Sequence, residues 1–542
     1  MIAETDMTDM TDMTDIDWYA AGWHGTETLA AVFARGAGNH GEVVVQFVSD
    51  DRPSITTVAE LHRRGLRVAA GLTEAGVVAG DVVLCQLPNW AEAAVLLQAT
   101  VALGLVLVPV APVASAQEVG DIARRSGARV AVTAAVWRGR RREEHLGVLQ
   151  SAPVEQLVVV GRGGPPGSHS WDALEATGTA SSPRHGGDPD ATAFVVFTSG
   201  STGAPKGVRH SHNTLWAEAR GGPLDAPAAP APGTRVLHVL PPGHIADLLT
   251  AVRTAAFGIP TVIMDRWDPR RAAAIIAACG ITTMSMTPHH MQGLLSAAQD
   301  LDAGTLSSVL VGAAGVSPAL VEAAEARGWP AFRCFGATEH PSVCASLPTD
   351  PLEVRAHTDG RPLPGNQLRV VGPDGTDMPT GRPGEVLTRG PERALGYLNP
   401  ADDLEAFLPG GWYRTGDLGR VDHAGRLTIT DRLKDIIIRG GENISAKEVE
   451  DALGSHPAVA DVAVIAMPDP SLGERACAFV VLRAGRGLTL TEVAGHLAAA
   501  GLARYKTPER LVVVDALPRL ESGKLRKEEL RAQLAAGAAR VR

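Results

Sequence analysis

Phe197-Thr198-Ser199-Gly200-Ser201-Thr202-Gly203-Ala204-Pro205-Lys206-Gly207 sets four hydroxyls, three glycines and one lysine in eleven consecutive residues. Glycine has no Cβ, so such a loop lets backbone N–H groups, hydroxyls and an ammonium come close to a polyphosphate. Val195-Val196-Phe197 reads as a buried strand end. The spacing therefore predicts a loop at a strand exit, where open α/β sheets bind ligands. It differs from the familiar nucleotide loop G-x-x-x-x-G-K-S/T, because Gly207 follows Lys206. A Ser/Thr/Gly-rich loop also fits a plain surface turn. Lys206, the apolar strand and four motifs downstream favour the ligand loop.

The chain has 542 residues, too many for one ordinary core, so several domains are expected. With 59 glycines and 37 prolines, it must turn often, as α/β folds do. The formal charge of −10 argues against nonspecific nucleic-acid binding, which needs a basic surface, yet leaves room for an anionic small ligand held by a few cations. The five cysteines include no C-x-x-C pair, which fits buried thiols in a reduced, cytoplasmic setting. No secretory leader is visible. Residues 1–16, with Met-Thr-Asp repeated from Met7 to Asp15, read as an acidic disordered tail.

Ala93 to Ala114 is nearly all apolar, but Gln98, Gly104, Pro109 and Pro112 interrupt it. The pattern predicts a buried helix from Trp90 to Leu103, a turn at Gly104 and a strand from Leu105 to Val110, not a membrane span.

From Asp17 to about Thr430, short apolar strands alternate with Ala-rich helices. The strands include Val82-Leu87, Gln156-Val160, Thr261-Met264 and Ser308-Val311; the helices include Val58-Ala75, Pro269-Cys279 and Pro318-Arg327. This alternation predicts largely parallel sheets covered by helices. The charge run Arg138 to Glu144 reads as a solvated helix face. Past Asp417 the texture changes. A hairpin strand at Gly425-Thr430, a charged run, a strand at Ile436-Ile438, the glycine pair Gly440-Gly441 and a helix at Ser445-Leu453 predict a small α+β domain. The expected division is a core over 17–431 and a second domain over 432–542.

Four further motifs carry chemistry. Phe335-Gly336-Ala337-Thr338-Glu339 follows the strand-like Ala331-Cys334. Its aromatic suits a base, and its carboxylate suits Mg²⁺, a hard cation that takes oxygen ligands. Tyr413-Arg414-Thr415-Gly416-Asp417 offers a carboxylate for two ribose hydroxyls, although a turn Asp fits equally. Arg432 and Lys434 bracket the expected boundary, ahead of Gly440-Gly441-Glu442-Asn443. Ser522-Gly523-Lys524 places a lysine in a polar loop near the C-terminus. His289-His290, and His210 with His212, have no neighbours in sequence that complete a metal site.

In this order, the motifs resemble the superfamily of acyl-CoA synthetases, nonribosomal adenylation domains and beetle luciferases, from Trp18 to about Leu530. Gln86-Leu87-Pro88-Asn89-Trp90, Asp265-Arg266-Trp267 and Ile436 to Ile444 look most like ligases for cyclic, aromatic or medium-chain acids. The resemblance implies a large N-terminal domain of two doubly wound lobes plus a distorted β-barrel, with a small mobile α+β C-terminal domain that turns near Lys434. It also implies roles. Thr198, Ser199, Gly200, Ser201, Thr202, Gly203 and Lys206 would hold the β- and γ-phosphates of ATP. Gly312, Ala313, Ala314, Gly315, Phe335, Gly336 and Ala337 would line the adenine pocket. Thr338 would meet the α-phosphate and Glu339 would bind Mg²⁺. Asp417 and Arg432 would hold the ribose. Lys524 would touch the carboxylate and the α-phosphate. Rotation about Lys434 would then withdraw Lys524 and bring Gly440-Gly441 to a thiol of CoA or of a carrier protein's phosphopantetheine.

Three positions depart from that family's pattern. Phe335 stands where Tyr is usual, and Lys527 where Arg is usual. His244-Ile245-Ala246-Asp247 carries Asp in place of Gly. With His244 and Asp247 in the acyl pocket, Asp247 would meet a substrate amine or hydroxyl; alternatively, it caps a helix at Leu248-Ala256. The resemblance thus implies ATP-dependent activation of a carboxylic acid and transfer to CoA. Its alternatives are loading of an acyl carrier protein and ATP- and nitrite-dependent diazotisation of an aryl amine. A nucleotide-binding scaffold would need a degenerate site, and Lys206, Glu339, Asp417 and Lys524 are all present.

Overall fold

The structure, a computed structural model, describes residues 15–177, 187–198, 205–222, 233–297, 305–520 and 523–536. Two large sheets build the first lobes. In one of eight strands, Thr192–Thr198 lies beside Val106–Pro109, Val82–Gln86, Val130–Ala134 and Gln156–Val160 in parallel order. In the other, of nine strands, Ala331–Phe335, Ser308–Val311, Thr283–Met286, Val236–His238, Thr261–Met264 and Val44–Val48 run parallel, with antiparallel strands at both edges.

The local reasons are legible. The helix Val58–Glu74 starts where the Thr57 hydroxyl accepts from the Glu60 amide, and it buries Val58, Leu61, Val68 and Leu72 at helical spacing. Asp268 caps Pro269–Cys279, with proline at the first helical position. The helix Ala91–Leu103 is buried nearly all round, between Trp90 and a left-handed Gly104. It joins Val58–Glu74 in one core with residues of both sheets, including Phe47 and Val83. Among the described residues, no helix is long and apolar enough to cross a membrane.

One local expectation is corrected. Of residues 138–144, only Glu143 and Glu144 stand exposed on a helix, in the first turn of Glu143–Ser151. Val136–Trp137 and Arg140–Arg141 form a tight hairpin, turned by positive φ at Arg138 and Gly139. Arg142 is buried, donates to the Pro112 carbonyl at 2.8 Å and is pulled down to about 10 by that burial. Thr198 ends a strand, as the sequence predicts. Its strand Thr192–Thr198 returns as the antiparallel strand Lys206–Ser211, with Thr198 opposite Lys206.

A five-stranded antiparallel sheet follows, in which Trp412–Val421 pairs with Leu427–Arg432. After the short turn Leu433–Asp435, a separate sheet starts at Ile436–Arg439 and includes Val459–Asp469, Gly473–Leu482 and Arg510–Val513. The sequence missed its strand Glu442–Ser445, because Gly440 and Gly441 turn the chain straight back into a second strand before the helix Ala446–Gly454.

Candidate active site

A cleft of about 1100 Å³ opens between these sheets, and every layer contributes to its wall. Thr198 and Lys206 come from the base of the hairpin. Gly312 and Ala313 follow the strand Ser308–Val311, while Gly336, Ala337, Thr338 and Glu339 follow Ala331–Phe335. These are the C-terminal ends of adjacent parallel strands, the usual ligand side of such a sheet. Gly416 and Arg432 enter from the antiparallel sheet, and Lys524 from the last segment of the chain. Ser199, Gly200, Ser201, Thr202 and Gly203 lie outside the described residues, as does Ser522.

Glu339 and Lys206 are joined through a residue that the sequence did not single out. The Tyr397 hydroxyl donates to Oε1 of buried Glu339 at 2.8 Å. The Lys206 ammonium lies 4.9 Å from the centre of the Tyr397 ring and 3.3 Å from Oδ1 of Asp402. Burial and the Glu339 carboxylate both hold the Tyr397 phenol well above its ordinary value, so it stays a donor. The ring therefore fixes the carboxylate and supports the cation at once.

Thr338 is held from behind. Nε2 of His210 meets the Thr338 carbonyl at 2.8 Å, and Nδ1 meets the Thr214 hydroxyl at 3.2 Å. Burial lowers His210 to about 4, so the ring is neutral and donates its Nε2 proton to the carbonyl. Its role here is to position Thr338.

Asp417 and Arg432 face each other across the antiparallel pair, with Arg432 Nε donating to Asp417 Oδ1 at 2.7 Å. Burial pushes the Asp417 carboxyl up, and Arg432 pulls it back. The Thr415 hydroxyl accepts from the Asp417 amide at 3.0 Å, which fixes the turn.

Lys524 stands in the same field. Burial, then the cations Arg432 and Lys434, bring its ammonium down to about 8, against the pull of Asp417 and Glu339. Its loop is tied by Arg519, which donates to the Gly523 carbonyl and forks onto both oxygens of Asp461 at 2.8 and 2.7 Å. Lys527 bonds Glu450 at 2.8 Å, and Arg531 bonds Asp435 at 2.7 Å beside Lys434. Gly440 and Gly441 are exposed at a hairpin tip, and neither they nor Lys434 line the cleft.

Several candidates sit differently from expectation. Phe335 packs on the cluster of Val343, Cys344, Val386 and Leu427 rather than on the cleft wall. Ala314 and Gly315 are exposed beside it, with Gly315 next to the Lys447 side chain. His244 does line the cleft, where burial lowers it to about 4. Asp247 is neither a pocket residue nor the cap. The helix Ile245–Phe257 begins earlier, and His244 caps it by accepting from the Ala246 amide. Asp247 lies in the first turn and meets Nε2 of buried His238 at 2.8 Å. Its hydrogen-bonding partner is thus the chain itself.

Residues 33–398 match the family described as AMP-binding enzyme, and residues 448–524 match the AMP-binding enzyme C-terminal domain. The chain is 34% identical over 501 residues to a medium-chain fatty-acid–CoA ligase of Escherichia coli, covering 89% of this chain and 87% of that protein. It is 33% identical over 527 residues to a salicyl-AMP ligase / salicyl-S-ArCP synthetase of Mycobacterium tuberculosis, covering 95% and 92%. The solved structure of o-succinylbenzoate CoA synthetase from Bacillus subtilis, in complex with its acyl-adenylate intermediate, superposes with a TM-score of 0.80 at 27% identity, covering 92% of this chain and 97% of that one. Match lengths of this order, over both parts of the chain, decide the family: the protein belongs to the AMP-binding enzymes and is an ATP-dependent adenylate-forming ligase.

Proposed function

We propose that the protein activates an aryl, cyclic or medium-chain carboxylic acid as its acyl-adenylate and then passes the acyl group to the thiol of CoA. The observation that carries this reading is that Lys524, Thr338, Glu339, Lys206 and Arg432, from different layers, all line one cleft. The names of the relatives, a medium-chain fatty-acid–CoA ligase and a salicyl-AMP ligase, support the acid classes.

In the first step a carboxylate oxygen attacks the α-phosphorus, and the bond to the β-phosphate oxygen breaks, releasing pyrophosphate. Two anions must approach. Lys524 and Lys206 neutralise that charge and hold the groups in line, while Thr338, braced by His210, orients the α-phosphate. Asp417 and Arg432 grip the ribose. Glu339 suits Mg²⁺ that arrives with the phosphates, since such an ion needs one or two carboxylates and takes its other oxygens from substrate and water. Among the described residues, no group of three His, Cys, Asp or Glu side chains could hold a metal unaided. When bound, Mg²⁺ supplies further charge neutralisation.

In the second step the thiol attacks the acyl carbon, AMP leaves with the bonding electrons, and the thiol proton passes to solvent. Lys524 occupies the path. The turn at Lys434 separates the two sheets and is the natural hinge for a C-terminal domain over 432–542 moving on a core over 17–431. That motion would bring Gly440 and Gly441 to the cleft. ATP–pyrophosphate exchange over a panel of acids tests the first step. Supplying CoA, an acyl carrier protein or nitrite to the active acid then tests the acceptor. A CoA thioester is the expected product. Exchange with no acid would overturn the reading, and transfer only to a carrier protein or nitrite would replace its second half.

A further inference from the structure

Besides Glu339, one further carboxylate of the cleft lining is buried among the described residues, and no step above uses it. Glu218, on the helix His212–Gly221, is 2% exposed and lines the cleft. Its Oε2 makes no hydrogen bond, although Ser342, which also lines the cleft, lies near enough to draw the carboxyl down against its burial. Its Oε1 lies 3.9 Å from Nη2 of Arg253, which also lines the cleft. Arg253 is itself committed to the chain, donating from Nε to the Ala219 carbonyl at 3.2 Å and from Nη2 to the Glu218 carbonyl at 3.1 Å. Room for the pair comes from Gly222, where a Cβ would stand 1.9 Å from Arg253 Nη2 and 2.8 Å from Glu218 Oε1. The cleft lining also offers apolar surface at Leu249, Leu310 and Pro341.

We propose that this part of the cleft is the acyl pocket, and that it selects a carboxylic acid whose hydrocarbon body carries a hydroxyl or amino group, which donates to Oε2 of Glu218. The inference rests on the acid activation proposed above and names its substrate class. Three occupants can be compared. A plain hydrocarbon acid would leave a buried carboxylate oxygen unpaired, which is costly. A second carboxylate on the substrate would meet Glu218 as a like charge, and Arg253 already spends donors on backbone carbonyls. A hydroxyl or amino group satisfies the oxygen and leaves the apolar walls to the ring or chain. Burial also pushes the Glu218 carboxyl up to about 7, so a donor held there would favour its ionised form. The sequence pointed to Asp247 for this role, but the donor site is one helix earlier.

The test is ATP–pyrophosphate exchange by the full-length enzyme with benzoate, the ring-position isomers of hydroxybenzoate and aminobenzoate, the matching fluorobenzoates and octanoate. At least one hydroxy or amino acid should exceed benzoate and its own fluoro analogue in kcat/KM by about tenfold or more, the least expected when a donor satisfies an otherwise unpaired buried acceptor. Glu218→Leu should compress that ratio towards one by lowering kcat/KM for the hydroxy and amino acids. Glu218→Gln, which keeps the shape if the leucine variant fails to fold, should weaken the ratio through KM more than through kcat. Equal use of benzoate, fluorobenzoates and donor acids by the unaltered enzyme overturns the inference and leaves acid activation standing. A ratio unmoved by either variant overturns it as well. Exchange with no acid at all would sink the activation reading itself, and this inference with it.

Discussion

A Cβ built on Gly523 would stand 2.5 Å from the Cβ of His289 and 3.0 Å from the Thr287 hydroxyl. Gly523 also has φ of +82°, a region that side chains rarely adopt. The residue before Lys524 is therefore pressed onto the large lobe with no space for a methyl group. Gly523→Ala should disfavour this closed arrangement and slow adenylate formation about tenfold or more, since a strained backbone position costs about 1–3 kcal/mol. Thioester formation from a preformed adenylate should be nearly unchanged. Equal loss in the two half-reactions would show that the contact does not belong to the first step.

Lys524 should give that first step a pH limit. Its ammonium is held down to about 8, so the charged form is kept below that pH and lost as pH rises through it. In the free enzyme, kcat/KM for adenylation should fall above about pH 8. Lys524→Ala should reduce the rate by about 10²–10³-fold, as loss of a preorganised donor does, and should remove the alkaline limb. Lys524→Arg should keep its charge and also flatten the limb, whatever rate remains. An unchanged alkaline profile in both variants would assign the limb to another group.

The parts of the fold that were legible in sequence are those with a period and a stop. Ala91–Leu103 and Pro269–Cys279 were readable because apolar runs end at Gly104 and Gly280, each in the left-handed region. The return strand Lys206–Ser211 was not, because it mixes charge, histidine and glycine without alternation. Motif residues such as Thr338, Glu339 and Lys524 could be picked out as short local patterns. Their supports could not. His210 reaches Thr338 across 128 residues and Tyr397 reaches Glu339 across 58, and neither has a local signature. Glu218 lies inside an ordinary helical pattern, and its burial beside Arg253 exists only in the folded chain.

Asp247 should behave as a structural residue. Its bond to His238 closes the end of the strand Val236–His238 onto the first turn of the helix Ile245–Phe257. Asp247→Ala should lower Tm, because a buried imidazole loses its acceptor at a cost of about 1–3 kcal/mol. The order in which acids are used should stay the same. A changed order with an unchanged Tm would return Asp247 to the acyl pocket.

Lys434 should separate the two half-reactions in the opposite sense from Gly523. It sits in the turn Leu433–Asp435, the only chain segment between the strand Leu427–Arg432 of one sheet and Ile436–Arg439 of the next. Gly440 and Gly441 lie outside the cleft in the present arrangement, so a thiol path along them requires the turn to change its dihedrals. Lys434→Pro would fix φ at about −65° and restrict Leu433 as well. Adenylate should still form in ATP–pyrophosphate exchange, while acyl transfer slows by up to about 10²-fold, the scale of a misplaced reacting group. Bound acyl-adenylate should then accumulate and be recoverable by acid quench. Normal turnover of the complete reaction with CoA would show that the chain does not pivot at Lys434.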